Sequence, residues 1–467
     1  MRHLPTSDAI EPKTKKGHAR LAWFVIVLAV IWVIYQQNYN KEKKENSRPQ
    51  VNSSVLEFQG RIIFSLCSVS PEASKKLPVT GGITYRLCMI TLLGDVDSSA
   101  RAIEELQHMQ SLLKEYPNTP ISDRQKEVMG VLDSLYQSEL AERPMTDKTK
   151  NILRAELGWF SKLCIYPRGS ESEERKALEA EAQNRLLLLG LGCGLLFFLG
   201  VAGVVAWIVF AIKASEQKQS LGVTIQNRGD HGVYAETFAV MLLSFIFSGK
   251  LVSQDPSPLL KVICPFFSLL ALLWPLLRGI SWKDVKEDMG LHLGKQPWKE
   301  IVMGPLIYIK MLPALALSVV VLAVMMKLFR EAPSSSNPFA PVDQAAHPII
   351  AAFKGADKKT LLVLFFQMSV MAPVIEEIMF RGVLYQHLRE YSARFGTVMS
   401  VILSAFISSF IFAALHPQGL MLVPFLMLIA FLFVFAREWR GSLLPGMMAH
   451  GIHNGVIFLF CTVILSI

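Results

Sequence analysis

Six polar residues stand inside otherwise apolar stretches in the last quarter of the sequence: Glu376, Glu377, Arg381, His416, His450 and Asn454. Residues 361–390, LLVLFFQMSVMAPVIEEIMFRGVLYQHLRE, are apolar enough over their first fifteen positions to enter a bilayer, and then carry both acids and the arginine. A carboxylate at membrane depth costs at least a few kcal/mol, so acids there face a polar interior and carry function by default. On a helix Glu377 and Arg381 share a face at the spacing of an ion pair. Glu376 lies about 100° round and has Phe380 at its own i+4 position, which leaves it without a ready partner. Glu376 is therefore the acid expected to do chemistry. His416 ends the run FISSFIFAALHPQG, and His450 and Asn454 lie four apart in MMAHGIHNGVIFL. A carboxylate with a free face, two imidazoles and an amide could activate a water and stabilise an oxyanion, which is acyl hydrolysis. Burial would raise the pKa of Glu376 towards that of a base usable near neutral pH. His453, on a neighbouring face, is read as structural.

The elements that must hold these residues are membrane spans. Of the 467 residues 52% are hydrophobic and 18% charged, with mean hydropathy +0.37. A soluble chain carries roughly a quarter charged residues. Apolar runs at about 21–35, 186–212, 235–253, 259–277, 300–328, 361–380, 397–415, 420–436 and 443–465 suggest about nine spans in an all-α polytopic protein. The net charge of +9 fits a bias of basic residues in cytoplasmic loops, Arg389, Arg394, Arg437 and Arg440 among them. No nucleic-acid-binding motif or interleaved basic and aromatic patch is present, so no nucleic-acid partner is expected. If 397–416 is one straight span, His416 lies near its far end and His450 about a third of the way along its own. A kink at Pro417, or a run continuing to Pro424, would bring the two level.

Residues 1–20 form a polar, basic tail placed in the cytoplasm. Residues 21–35 form an uncleaved membrane anchor, because QQNYNKEKK follows where a small-residue cleavage site would stand. Residues 36–184 form a small, mostly helical soluble domain. Helices are expected at 100–116, 122–140 and 147–163, whereas 62–67 and 85–93 read equally as strands or buried helix turns. No residue there looks catalytic, and the domain could take a protein partner. Cys67, Cys88 and Cys164 fall in it and could include one disulfide. No CxxC pairing suggests a zinc or iron–sulfur site. Residues 186–212 form a transmembrane helix whose Gly190, Gly192, Gly194, Gly200 and Gly203 point to close helix packing. Residues 330–358, rich in proline and serine, read as a loop outside the cytoplasm.

Glu376-Glu377-x-x-x-Arg381, then Phe412-x-x-x-His416, then His450-x-x-x-Asn454 resembles, in order and with every signature position filled, the three motifs of the CPBP family. These are the CAAX-processing and bacteriocin-processing (Abi) intramembrane endopeptidases, which include the type II CAAX prenyl protease. The resemblance covers residues 235–467, including MGLHLG ahead of a span, and leaves residues 1–230 as an addition. It implies that Glu376 and His416 activate the attacking water, that His450 and Asn454 bind the oxyanion, and that Glu377 and Arg381 support them. The family is often labelled metalloprotease, yet the chain has no HExxH. The resemblance favours a metal-independent glutamate mechanism with no cofactor required, while Glu376, His416 and His450 could hold a divalent metal such as zinc. The substrate implied is a membrane-associated peptide or protein, cut at the membrane boundary by an integral, multi-pass protein of a bacterial inner membrane.

Two other classes compete. A non-catalytic scaffold or immunity protein of the same fold would not need the motif set intact. A proton-coupled transporter would show inverted repeats, and none is visible between the halves. Serine-hydrolase and NTPase readings lack GxSxG and GxxxxGK[ST]. An intramembrane aspartyl site needs two aspartates, and no Asp occurs from residue 361 onward.

Overall fold

The computed structural model describes residues 17–46, 53–77, 79–137, 145–216, 232–254, 258–294, 296–328, 338–339, 350–353, 355–417 and 422–465. Most of the basic tail and most of the 330–358 loop lie outside these residues. Among the described residues the chain is helical throughout, with no strand. Residues 62–67 and 85–93, open at first to either reading, lie in helices Ser53–Val69 and Ile83–Val96. The chain is thus an all-α, integral, multi-pass membrane protein. Seven described helices are long and apolar enough to cross a membrane, or up to eight if the pair Cys264–Leu277 and Trp282–Met289, bent by 120°, is one span. That is fewer than the nine apolar runs. The 420–436 run becomes the helix Val423–Arg440, whose last turn carries Arg437, Glu438 and Arg440.

The chain divides into two compact units. One gathers Met1–Gln37, Phe198–Leu322 and Leu362–Phe458. Its core joins Ala22, Ile26 and Ala29 of the N-terminal helix Ala19–Asn46 to Phe238, Met289, Phe380, Phe412 and Leu443. The segment expected to be a separate anchor thus packs inside the unit that holds the motif residues. Trp23 Nε1 donates to His387 Nε2 at 3.0 Å, and Gln37 Nε2 donates to the Leu415 carbonyl at 3.4 Å. Of the five glycines at 190–203, Gly203 bears out close packing, since a Cβ there would collide with the Ile309 carbonyl. Gly190 and Gly194 have open space before them.

The other unit gathers Asn38–Phe197, Ala323–Leu361 and Leu459–Ile467. Helix Ile83–Val96 is its centre, with Leu87, Ile90, Leu92 and Leu93 fully buried. Helices Ser99–Glu115, Asp123–Gln137 and Asp147–Leu157 lay their apolar stripes on it, burying Leu106, Met109, Leu132 and Leu153. Ser98 and Thr146 cap two of these helices by accepting from Arg101 N and Thr149 N. Buried Arg175 is paired with Asp95 at 2.6 Å. Cys67, Cys88 and Cys164 are free and buried, with no disulfide among them. Burial pushes the Cys164 thiol up to about 12, so it behaves as a small apolar residue rather than a nucleophile.

Candidate active site

Glu376 sits halfway along one long helix, Lys358–Phe395. Two turns of that helix are π-helical, Gln367–Met371 and Glu377–Leu384, and they flank it closely. Pro373 gives the physical reason for the first. It has no N–H to close an α-turn and its ring crowds the carbonyl four residues back, so the preceding turn widens. The carbonyls released there are used by the last helix, Leu444–Leu465. Asn454 Nδ2 donates to the Met368 carbonyl at 2.8 Å, and Gly451 lets the Ser369 carbonyl approach. At the second widened turn, Ser408 Oγ of helix Thr397–Ala414 donates to the Phe380 carbonyl at 3.2 Å.

Helix Thr397–Ala414 runs directly into a turn at 415–417, and His416 is the middle residue of that turn. Its Nδ1 lies 2.7 Å from the Phe412 carbonyl, which receives the Nδ1 hydrogen and leaves Nε2 facing Glu376. His416 shares that turn with Pro417, and Pro424 belongs to the next helix, Val423–Arg440. His450 is set by the start of its own helix. Leu443 N donates to the Gly290 carbonyl at 3.0 Å and Ser442 Oγ donates to the His292 carbonyl at 2.6 Å. Arg437 donates to the Asp288 and Gly441 carbonyls. The MGLHLG segment is therefore the clamp on which the last helix starts. Burial, with Arg437 beside it, holds the His292 imidazole below its ordinary value.

These elements bring both imidazoles to one carboxylate oxygen. His450 Nε2 lies 3.7 Å and His416 Nε2 4.0 Å from Glu376 Oε2. The Glu376 side chain is 18% exposed and His416 21%, whereas His450 is 6% exposed. Glu377 is buried behind them, with Oε1 at 3.0 Å from His450 Nδ1 and 3.2 Å from Arg381 Nη1. The i,i+4 ion pair is present, and it also reaches the histidine. Arg389, Arg437 and Arg440 are engaged internally as well: Arg389 pairs with Glu438 at 2.6 Å and Arg440 with Glu300.

Phe433 is a site residue that the sequence reading missed. Its ring stacks on His450 with centroids 4.7 Å apart, and Arg381 lies over it at 5.3 Å. Phe412 matches it on the other side, 4.2 Å from the His416 ring and 4.5 Å from the Arg381 guanidinium. Arg381 thus stands between two rings, each of which backs one histidine. Nothing local in FLMLIAFLFVFA marks Phe433 among its apolar neighbours. His453 faces Tyr308, with ring centroids 6.0 Å apart.

Residues 358–456 match the family described as type II CAAX prenyl endopeptidase Rce1-like. No curated protein and no solved structure matches the chain. The matched segment holds all six motif residues, and it supports placing the chain with the CAAX intramembrane proteases. It is narrower than residues 235–467, which the motifs alone suggested. That family is one of proteases and suggests intramembrane CAAX protease activity.

Proposed function

We propose that the protein is an intramembrane endopeptidase that hydrolyses a peptide bond of a membrane-associated peptide or protein at the membrane boundary. The observation that carries this is the convergence of two imidazole Nε2 atoms on Glu376 Oε2, at 3.7 and 4.0 Å. Gaps of that size leave room for a water among the three groups. Glu376 takes its proton while His416, fixed by the Phe412 carbonyl, orients it. The hydroxyl adds to the carbonyl carbon, and the negative charge develops on the side of His450 and Asn454. Asn454 spends one amide hydrogen on Met368 and keeps the other to donate. Glu377 and Arg381 hold His450 and the helix register behind the reacting groups. Residues 36–184 are read first as a plainly packed helical domain that could also take a protein partner, and the N-terminus is assigned to the cytoplasmic side, where Lys13, Lys15, Lys16 and Arg20 are retained.

A zinc ion would draw on Glu376, His416 and His450. Ligands at about 2.0 to 2.1 Å on a tetrahedral ion stand about 3.3 Å apart. The gaps to Glu376 are wider, and among the described residues no three His, Cys, Asp or Glu side chains have metal-holding spacing. The residues as they stand do not fit a metal set, and the reaction is written without one.

The test is cleavage of a membrane-tethered peptide library and a prenylated CAAX peptide by purified protein, with and without a strong chelator. Cleavage lost in Glu376→Gln and indifferent to chelator supports the reading. Inhibition by chelator moves His416 and His450 to metal ligands. A folded wild type that cuts nothing favours a non-catalytic scaffold or immunity protein.

A further inference from the structure

The hydrogen bond between His450 Nδ1 and Glu377 Oε1, 3.0 Å long, decides what His450 can do. Glu377 is buried, and the same Oε1 also lies beside Arg381, so it is held as a carboxylate that only accepts. The hydrogen must then sit on His450 Nδ1. A neutral imidazole with that tautomer carries a lone pair on Nε2 and has nothing to donate there. Nε2 is the atom that faces Glu376 and the water site, at 3.7 Å. Any donation from His450 to substrate therefore requires a hydrogen on both ring nitrogens. The buried Glu377 anion is the group that stabilises such a cation, and Phe433 presents the face of its ring to it at 4.7 Å.

We infer that His450 works as an imidazolium general acid that delivers its Nε2 proton to the departing amine, with Glu377 as the positioning residue that makes this possible. This rests on the hydrolase reading above and goes beyond oxyanion stabilisation. Glu376 takes a proton from water as the hydroxyl adds to the carbonyl carbon. The C–N bond then breaks, its electron pair goes to nitrogen, and the His450 Nε2 proton joins it, so the amine leaves neutral. The proton held by Glu376 crosses to the vacated Nε2, which restores both groups. Glu377 accepts the Nδ1 hydrogen throughout and never exchanges it.

The experiment compares two membrane-tethered probes of one cleaved sequence, one with the scissile amide and one with an ester in its place. An alkoxide leaves with far less need of a proton than an amine. In His450→Gln both probes lose the oxyanion contact, and the amide rate should fall about a further hundredfold beyond the ester rate, the scale of general acid catalysis. Equal losses on both probes overturn the inference and leave His450 as an oxyanion donor only. Glu377→Gln should show the same amide-selective loss, and a selective loss in His450→Gln alone overturns the role given to Glu377. Because Glu377→Gln strips Arg381 of its anion and could fail to fold, Glu377→Asp provides the second variant, with amide activity between wild type and Glu377→Gln. A wild type that cuts neither probe overturns the hydrolase reading itself.

Discussion

The Phe433 ring lies nearly parallel to the His450 imidazole, at 23° and 4.7 Å between centroids. It is fully buried, so it fixes the imidazole plane from the side that neither carboxylate reaches. Phe433→Leu keeps an apolar side chain but loses the flat face. Displacements of about 1 Å at reacting groups cost up to about a hundredfold in rate. The expected result is kcat reduced by about 10- to 100-fold with KM little changed. Stability should fall by about 1 kcal/mol for the lost ring pair. Steady-state kinetics and a thermal melt in detergent check both.

Gly451 has no Cβ because the Ser369 carbonyl of the widened turn occupies that place, at 2.5 Å from where the atom would stand. Backbone cannot swing aside as a side chain can. Gly451→Ala must push the last helix away from the helix bearing Glu376, an overpacking effect of about 1–3 kcal/mol. Activity should fall more than stability suggests, since His450 precedes Gly451. Comparing kcat with the melting temperature for this variant tests it.

The N-terminal helix reaches the site as well. Gln37 donates to the Leu415 carbonyl, next to His416, and Trp23 donates to His387 at the far end of the contact. A hydrogen bond of this kind is worth about 0.5–1.5 kcal/mol. Gln37→Leu should therefore slow turnover by about two- to tenfold through the loosened His416 turn. Trp23→Phe, remote from His416, should lower stability with a smaller effect on kcat. The reverse ranking in paired kinetic and unfolding measurements would show that the helix is only an anchor.

The sequence shows polar residues where a bilayer should forbid them, and it shows contacts within one turn, such as Glu377 with Arg381. Helix periodicity likewise marks the elements around Leu106, Leu132 and Leu153. What it hides are relations fixed by packing. Glu377 and His450 are 73 positions apart, and no local spacing announces that the supporting acid holds a histidine. Phe433 is one phenylalanine in an unbroken apolar run. The widened turns had a signal in Pro373, whose missing N–H must disturb the turn before it, but the straight-helix geometry used to separate Glu376 from Glu377 passed over it. The short run at 21–35 has the look of a tether, and only the burial of Ala22, Ile26 and Ala29 reveals a packed element. At 423–440 the charges that end the helix are internal, with Glu438 bound by Arg389 and Tyr385, a pairing that no local spacing announces.

In the second unit, Asp95 and Arg175 meet at 2.6 Å with side chains 3% and 4% exposed. Taking two charges out of water is expensive, so the pair adds little compared with a well-packed apolar pair, whereas removing one partner strands the other. Asp95→Ala should cost about 3–5 kcal/mol, because Arg175 would keep only Glu179, which is half exposed, as its anion. The double replacement Asp95→Leu with Arg175→Met removes both charges and restores apolar volume. It should match the wild type to within about 1–2 kcal/mol or exceed it. Denaturant melts of the wild type, Asp95→Leu, Arg175→Met and the double variant close a double-mutant cycle and give the coupling directly. A single mutant as stable as the wild type would mean that water reaches Arg175 in solution, and that the pair is not buried as this structure places it.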